Sequence, residues 1–130
     1  MPLTPDIRKE IFNRLKTALE KHAPPMTVSK NNKTVFELIG NKPVPYGSRQ
    51  IIVPGMYFCS AVARKDKISF YFFPMYFHEK EFSKTIPNMI RYLKGKTCFN
   101  FTKPDQIVGK ELDAMIKKGV RAWHKSGYMK

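Results

Sequence analysis

The chain has 130 residues, of which 42% are hydrophobic and 26% are charged, a composition typical of a globular protein rather than a disordered one. Lys and Arg number 24 against 10 Asp and Glu, so the formal net charge is +14. No apolar run approaches the ~20 residues of a membrane helix, no signal peptide is evident, and the 2 cysteines are too few for a disulfide framework. We therefore expect a single cytoplasmic domain, residues 1–130, without membrane contact.

The amino-terminal segment predicts a helix that runs to about Lys21. Thr4 is suited to cap it and Pro5 to occupy its first position. An apolar stripe then recurs at three- and four-residue spacing, formed by Ile7, Ile11, Leu15, Ala18 and Leu19. Pro24 and Pro25 prevent the helix from continuing.

The middle of the chain predicts a series of strands, because its segments are rich in β-branched and aromatic residues. These segments cover 26–30, 34–39, 50–53, 56–64 and 67–73. Asn31-Asn32-Lys33 and Lys65-Asp66 suit hairpin turns between neighbouring strands. The two prolines and two glycines of 40–47 predict a loop.

The last third predicts a helix over 82–93, a strand over 96–101 and a final helix that opens at Asp105. Pro87 would place the true start of the first of these helices near Ile86. The final helix has one apolar stripe and ends near Gly127; the stripe consists of Val108, Leu112, Met115, Ile116, Gly119 and Trp123. The whole order predicts an α+β fold, an antiparallel sheet with the amino- and carboxyl-terminal helices packed on one face.

The turn at Lys65-Asp66 also predicts which side chains share a face of the sheet. Pairing Arg64 with Lys67 directs Cys59, Ala61, Ala63, Ile68, Phe70 and Phe72 toward the helices. The opposite face then carries Phe58, Ser60, Val62, Arg64, Lys67, Ser69, Tyr71 and Phe73. If Phe99 and Phe101 join the core, Cys98 and Asn100 share that opposite face.

This opposite face is the predicted ligand-binding surface, since apolar surfaces with a few polar groups are where small ligands bind. Its candidate residues are Phe58, Arg64, Tyr71, Phe73, Cys98 and Asn100. The loop of 40–55 would form a partial lid over a shallow cleft. The alternative is that a second copy of the chain covers the same aromatic residues, as in a homodimer rather than a monomer.

Three segments of the sequence resemble the YdhG-type bacterial domain of unknown function, whose fold is similar to frataxin. They are MYFCSAVARK at 56–65, ISFYFFPMY at 68–76 and, as the most specific, GKTCFNF at 95–101. The resemblance implies a frataxin-like α/β sandwich, no enzymatic activity and, in one branch, an iron-chaperone role. Frataxin-type iron handling relies on clustered carboxylates, whereas Asp6, Glu10 and Glu20 of the first helix are interleaved with cations. Iron binding is therefore expected to be weak.

No residue pattern indicates catalysis, a cofactor or a metal site. His22, His78 and His124 lie far apart in the sequence, and Cys59 and Cys98 form no Cys-x-x-Cys pair. Cys98, between Lys96 and Asn100, is the one thiol with cationic surroundings, and the sequence has no nucleophile motif or phosphate loop. We expect a non-catalytic binding module for an unidentified small ligand or protein partner.

A net charge of +14 also favours a second interpretation, non-specific binding to nucleic acid. Lys117, Arg121 and Lys125 form a ridge at four-residue spacing on the final helix. Lys94 and Lys96 belong to a second group of cations without an acid among them. Since no base-reading motif is present, such binding would be salt-sensitive and insensitive to sequence.

Overall fold

The computed structural model describes residues 3–130 and shows an α+β fold. Three α-helices are present in this part of the chain: α1 (Pro5–Glu20), α2 (Glu79–Thr85) and α3 (Gly109–Lys125). The strands are β1 (Thr27–Asn31), β2 (Val35–Ile39), β3 (Val44–Tyr46), β4 (Ile51–Val53), β5 (Tyr57–Ala63), β6 (Ile68–Phe72), β7 (Leu93–Lys94) and β8 (Cys98–Phe101). Short 3-10 turns occupy Phe73–Tyr76, Met89–Tyr92 and Pro104–Gln106.

Six strands form one antiparallel sheet in the order β1-β2-β5-β6-β8-β7, while β3 and β4 form a separate hairpin. The predicted turn at Lys65-Asp66 is present, and the register it implies is confirmed: Ala63 pairs with Ile68 and Cys59 with Phe72. On the next strand, Asn100 pairs with Ser69 and Cys98 with Tyr71. The sheet therefore has one face that is apolar across β2, β5, β6 and β8, and one face of mixed polarity.

The helices cover the apolar face, as predicted. The α1 helix begins at its Thr4 cap, whose hydroxyl accepts a hydrogen bond from the Ile7 amide at 3.3 Å, and packs on β5 and β6. The α3 helix crosses the same face at Gly119 and approaches the sheet closely there, because glycine has no side chain. A Cβ atom at this position would lie 2.6 Å from Cζ of Phe72. Phe70, Phe99 and Phe101 are completely buried beneath the helices.

The position predicted for the second helix, over 82–93 with a start near Ile86, is wrong. The helix spans Glu79–Thr85, before Pro87 rather than after it. A residue that precedes proline is disfavoured in the helical conformation, and Ile86 has the non-helical angles φ −123 and ψ 60. Phe82 anchors the helix, with its ring centroid 5.2 Å from that of Phe72.

The start of the final helix was also predicted too early. Asp105 lies in a 3-10 turn, and α3 begins at Gly109. Gln106 holds this turn together, because its Oε1 accepts hydrogen bonds from the amides of Thr102 at 2.7 Å and Lys103 at 3.2 Å. The predicted stop is confirmed: Gly127 follows the helix with φ +84, a conformation that glycine adopts without strain.

The loop expected over 40–47 contains β3, and its pairing with β4 was not predicted. Val44 at the base of this hairpin reaches the core. Apolar side chains at its far end stay in solvent: Tyr46, Ile51 and Ile52 are 49%, 60% and 64% exposed. The tip of this hairpin therefore leaves apolar side chains in solvent, and the lid over the open face stays a prediction.

Candidate functional site

The face of the sheet opposite the helices, here called the open face, consists of two rows of side chains that cross four strands. One row is Glu37, Ser60, Tyr71 and Cys98. The other is Val35, Val62, Ser69 and Asn100. Antiparallel pairing aligns the members of each row, so residues far apart in the sequence become neighbours.

A continuous chain of hydrogen bonds connects five polar residues of the open face, with Tyr71 at one end and Cys98 at the other. The guanidinium donates from Nε to Oγ of Ser69 at 3.0 Å and from Nη2 to the hydroxyl of Tyr71 at 2.6 Å. Ser69 in turn donates to Oδ1 of Asn100 at 3.1 Å. Cys98 donates its thiol proton to the same Oδ1, with 3.5 Å between sulfur and oxygen. Four of the predicted site residues therefore belong to one network.

The direction of these bonds determines which groups stay free for a ligand. Oδ1 of Asn100 is occupied by two donors, whereas the network does not use its Nδ2 group. The Tyr71 hydroxyl accepts from Arg64 and keeps its own proton for donation, and Nη1 of Arg64 takes no part in these bonds. The free groups are thus donors, which suit a ligand rich in oxygen acceptors.

Phe58, predicted to lie on this face, is completely buried on the helix side instead. A β-bulge is the reason: Leu38 pairs with Cys59 but Ile39 pairs with Tyr57, so Phe58 is an extra residue in β5. Its ring packs edge-on against Trp123 of α3, with centroids 5.6 Å apart. The prediction for Phe58 was wrong because a bulge reverses the alternation of faces.

Tyr57 takes the place on the open face that Phe58 was expected to occupy. Its hydroxyl lies 2.6 Å from Oγ of Ser60. Burial raises the pKa of this phenol well above its ordinary value, so Tyr57 remains protonated. On the neighbouring strand, the Ser29 hydroxyl donates to Oε2 of Glu37 at 2.6 Å. Sequence reasoning missed Tyr57 and Glu37, since only the bulge and the strand order bring them here.

Phe73 lies just beyond the end of β6, because the strand ends at Phe72 and a 3-10 turn that contains Pro74 begins at Phe73. The Phe73 ring contacts Tyr57 at 5.8 Å and Trp123 at 6.1 Å between centroids. It therefore lies in an aromatic cluster at the end of the strand, joined by Tyr76 and Phe77, rather than beside Tyr71.

The two thiols occupy opposite faces, as predicted, and both are free. Cys59 is completely buried, and desolvation raises the pKa of its thiol well above the ordinary value. Cys98 is half-buried on the open face, where its thiol donates to Oδ1 of Asn100.

The cations predicted for nucleic acid lie in two groups. Lys117, Arg121 and Lys125 are exposed on α3. Lys94 lies on β7 and Lys96 in the turn to β8, with its ammonium 5.0 Å from the ring centroid of Tyr76. No ion pair within 3–130 involves any of the five, so their charge is not neutralised by neighbouring carboxylates.

Two clefts lie along α1, and none of their lining residues belongs to the open face. Across residues 3–130, no group of three His, Cys, Asp or Glu side chains could hold a metal ion. Over the same residues, no helix is long and apolar enough to cross a membrane.

Comparison with family models, curated proteins and solved structures gave no match for this chain.

Proposed function

We propose that the protein is a non-catalytic binding module that holds a small carboxylate-bearing ligand on the open face. The observation that carries this proposal is the hydrogen-bonded network from Arg64 through Ser69 to Asn100. Its partners come from β6, β8 and the turn after β5, so the rigid sheet fixes them before a ligand arrives. Such preorganisation reduces the entropy that binding costs.

The chemistry of the free groups supports a carboxylate. A guanidinium matches the planar oxygens of a carboxylate, and the Arg64 side chain is partly held in place by its bonds to Ser69 and Tyr71. The Tyr71 and Asn100 donors beside it are neutral, so the site offers one positive charge to one negative charge. Tyr71 also offers a half-exposed ring, 6.0 Å from the guanidinium carbon, to the apolar part of a ligand.

The arrangement favours binding over catalysis. Cys98 donates to Asn100, and the five residues of the network include no histidine and no carboxylate, so the network lacks a general base beside a nucleophile. Metal handling is less well supported than carboxylate binding, because the cationic Arg64 stands beside the Tyr71 and Ser69 oxygens.

A thermal-shift screen tests the proposal. The wild-type protein is melted with a panel of aliphatic and aromatic carboxylates, and with the matching uncharged amides as control ligands. A carboxylate present at about 100 times its Kd adds about 2.7 kcal/mol, enough to raise the midpoint by several degrees. Arg64→Gln should abolish that rise, whereas the exposed Lys103→Gln, with the same change of charge, should retain it.

The proposal fails if no carboxylate stabilises the wild-type protein. It fails equally if a carboxylate stabilises Arg64→Gln as strongly as it stabilises the wild-type protein and Lys103→Gln, because the ligand would then bind elsewhere.

A further inference from the structure

A cleft of about 810 Å³ lies between α1, from Pro5 to Lys16, and the turn that joins β1 to β2. Every charged side chain that lines it is a cation: Arg8, Lys9, Lys16 and Lys33. Its other polar lining residues are neutral: Asn13, Asn31, Asn32 and Thr34. We call this site the cationic cleft. It lies on the helix side of the sheet and is separate from the open face.

None of the three acids of α1 lines the cationic cleft. Asp6 and Glu10 line a second cleft of about 600 Å3, toward α3, together with Asp113. Both ion pairs of residues 3–130 are there: Arg14 to Glu10 at 3.4 Å and Lys21 to Asp113 at 3.6 Å. Neither pair includes a charged residue of the cationic cleft, so none of its four cations is in an ion pair within residues 3–130. Lys9 also lines the second cleft, beside Asp6 and Glu10, whereas Arg8, Lys16 and Lys33 line only the cationic cleft.

Ordered elements hold the walls of the cationic cleft. On the helix wall, the ammonium of Lys16 lies 5.7 Å from the ring centroid of Phe36. On the turn wall, Oδ1 of Asn32 accepts from the Thr34 amide at 3.0 Å and the Val35 amide at 2.9 Å. These bonds fix the turn that carries Lys33 and leave the two Nδ2 protons of Asn32 as donors.

We propose that the cationic cleft binds a run of phosphate groups, as found in a single-stranded nucleic acid backbone or a free polyphosphate chain. Four cations within one cleft suit several negative charges rather than one. The aromatic lining residue Phe12 is only 6% exposed and gives bases no surface on which to stack. Recognition would therefore be of phosphates and not of base sequence.

The test is a fluorescence anisotropy titration with a labelled oligothymidylate of about 12 nucleotides, a length within the range of single-strand binding sites. The variant Lys16→Gln/Lys33→Gln removes one cation from each wall of the cationic cleft. The control Lys117→Gln/Arg121→Gln removes the same charge from α3. We expect the cleft variant to bind about tenfold more weakly and the control less than about threefold more weakly. The slope of log K against log salt should fall by about 1.4 in the cleft variant, at about 0.7 for each lost phosphate contact.

Unlabelled tripolyphosphate distinguishes the two sources of phosphate. Displacement of the oligonucleotide at micromolar tripolyphosphate indicates that a free polyphosphate fills the cleft, and no displacement indicates a nucleic acid backbone. Lys16→Gln also removes the contact between Lys16 and Phe36, which could lower the melting temperature of the first variant below that of the wild-type protein. In that case the titration uses Arg8→Gln/Lys33→Gln, which keeps this contact. The inference is overturned if the cleft variants bind like the wild-type protein, or if the α3 control is weakened equally.

Discussion

Arg64 and Tyr71 are joined by a hydrogen bond of 2.6 Å between Nη2 and the phenolic hydroxyl, although Arg64 follows β5 and Tyr71 lies on β6. The tight turn at Lys65-Asp66 makes this contact possible, because it places Arg64 at the end of the β5–β6 ladder. The bond fixes the guanidinium over the open face. The binding proposal therefore depends on the register of a single hairpin.

The faces of β6 should differ in how much stability their side chains provide. Phe70 is completely buried under the helices, so Phe70→Ala should cost roughly 3–5 kcal/mol in the free energy of unfolding. Tyr71 is half-buried on the open face, so Tyr71→Ala should cost clearly less. Urea denaturation of both variants measures the difference. Greater destabilisation by Tyr71→Ala would mean that the faces are reversed.

Gly119 should be intolerant of any side chain. A Cβ atom there would lie 2.6 Å from Cζ of Phe72 and 2.9 Å from Cε1 of Phe58, and both rings are completely buried. We expect Gly119→Ala to destabilise the protein by about 1–2 kcal/mol, since overpacking exceeds the gain in helix propensity. Gly109→Ala, with no atom within 4 Å of its Cβ, is the matched control and should cause little loss.

Glu111 should be an important structural contact between α3 and the segment after α2. Its carboxylate is 7% exposed and accepts hydrogen bonds from the Met89 amide at 2.9 Å and from Nδ2 of Asn88 at 2.6 Å. Glu111→Ala leaves the Met89 amide without this acceptor and should cost about 2–3 kcal/mol in chemical denaturation. Exposed Asp113→Ala is the control on the same helix, and equal costs for both variants would contradict this role.

The two cysteines should differ in reactivity. Cys98 is half-exposed, whereas Cys59 is completely buried and its thiol pKa is raised by desolvation. A thiol reagent at neutral pH should therefore label one cysteine per native chain and two after denaturation. Cys98→Ser should abolish the native labelling. Rapid labelling of Cys59 in that variant would show that β5 is not buried beneath the helices.

Local signals in the sequence were sufficient for most of the fold. The Thr4 cap, the Pro24-Pro25 stop and the Lys65-Asp66 turn act within a few residues, so the sequence predicts α1 and the β5–β6 register. Pro87 misled the prediction of α2, because proline is compatible both with a helix start and with the residue that follows a helix end.

The sequence predicts those residues of the candidate site that follow from strand alternation, and it misses those that depend on a β-bulge or on the docking of a helix. Arg64, Tyr71, Cys98 and Asn100 follow from strand alternation, which a register determines. Phe58 does not, because a bulge depends on the fit between β2 and β5 and leaves no mark in the sequence of β5 alone. The cationic cleft was missed since it exists only after α1 docks beside the β1–β2 turn.

The most direct test of the central proposal is native mass spectrometry of the protein purified from its host, compared with Arg64→Gln prepared identically. The proposal predicts a monomer that carries a small-molecule adduct in the wild-type protein and no adduct in the variant. A homodimer without an adduct, or the same adduct on both proteins, would contradict ligand binding by the open face.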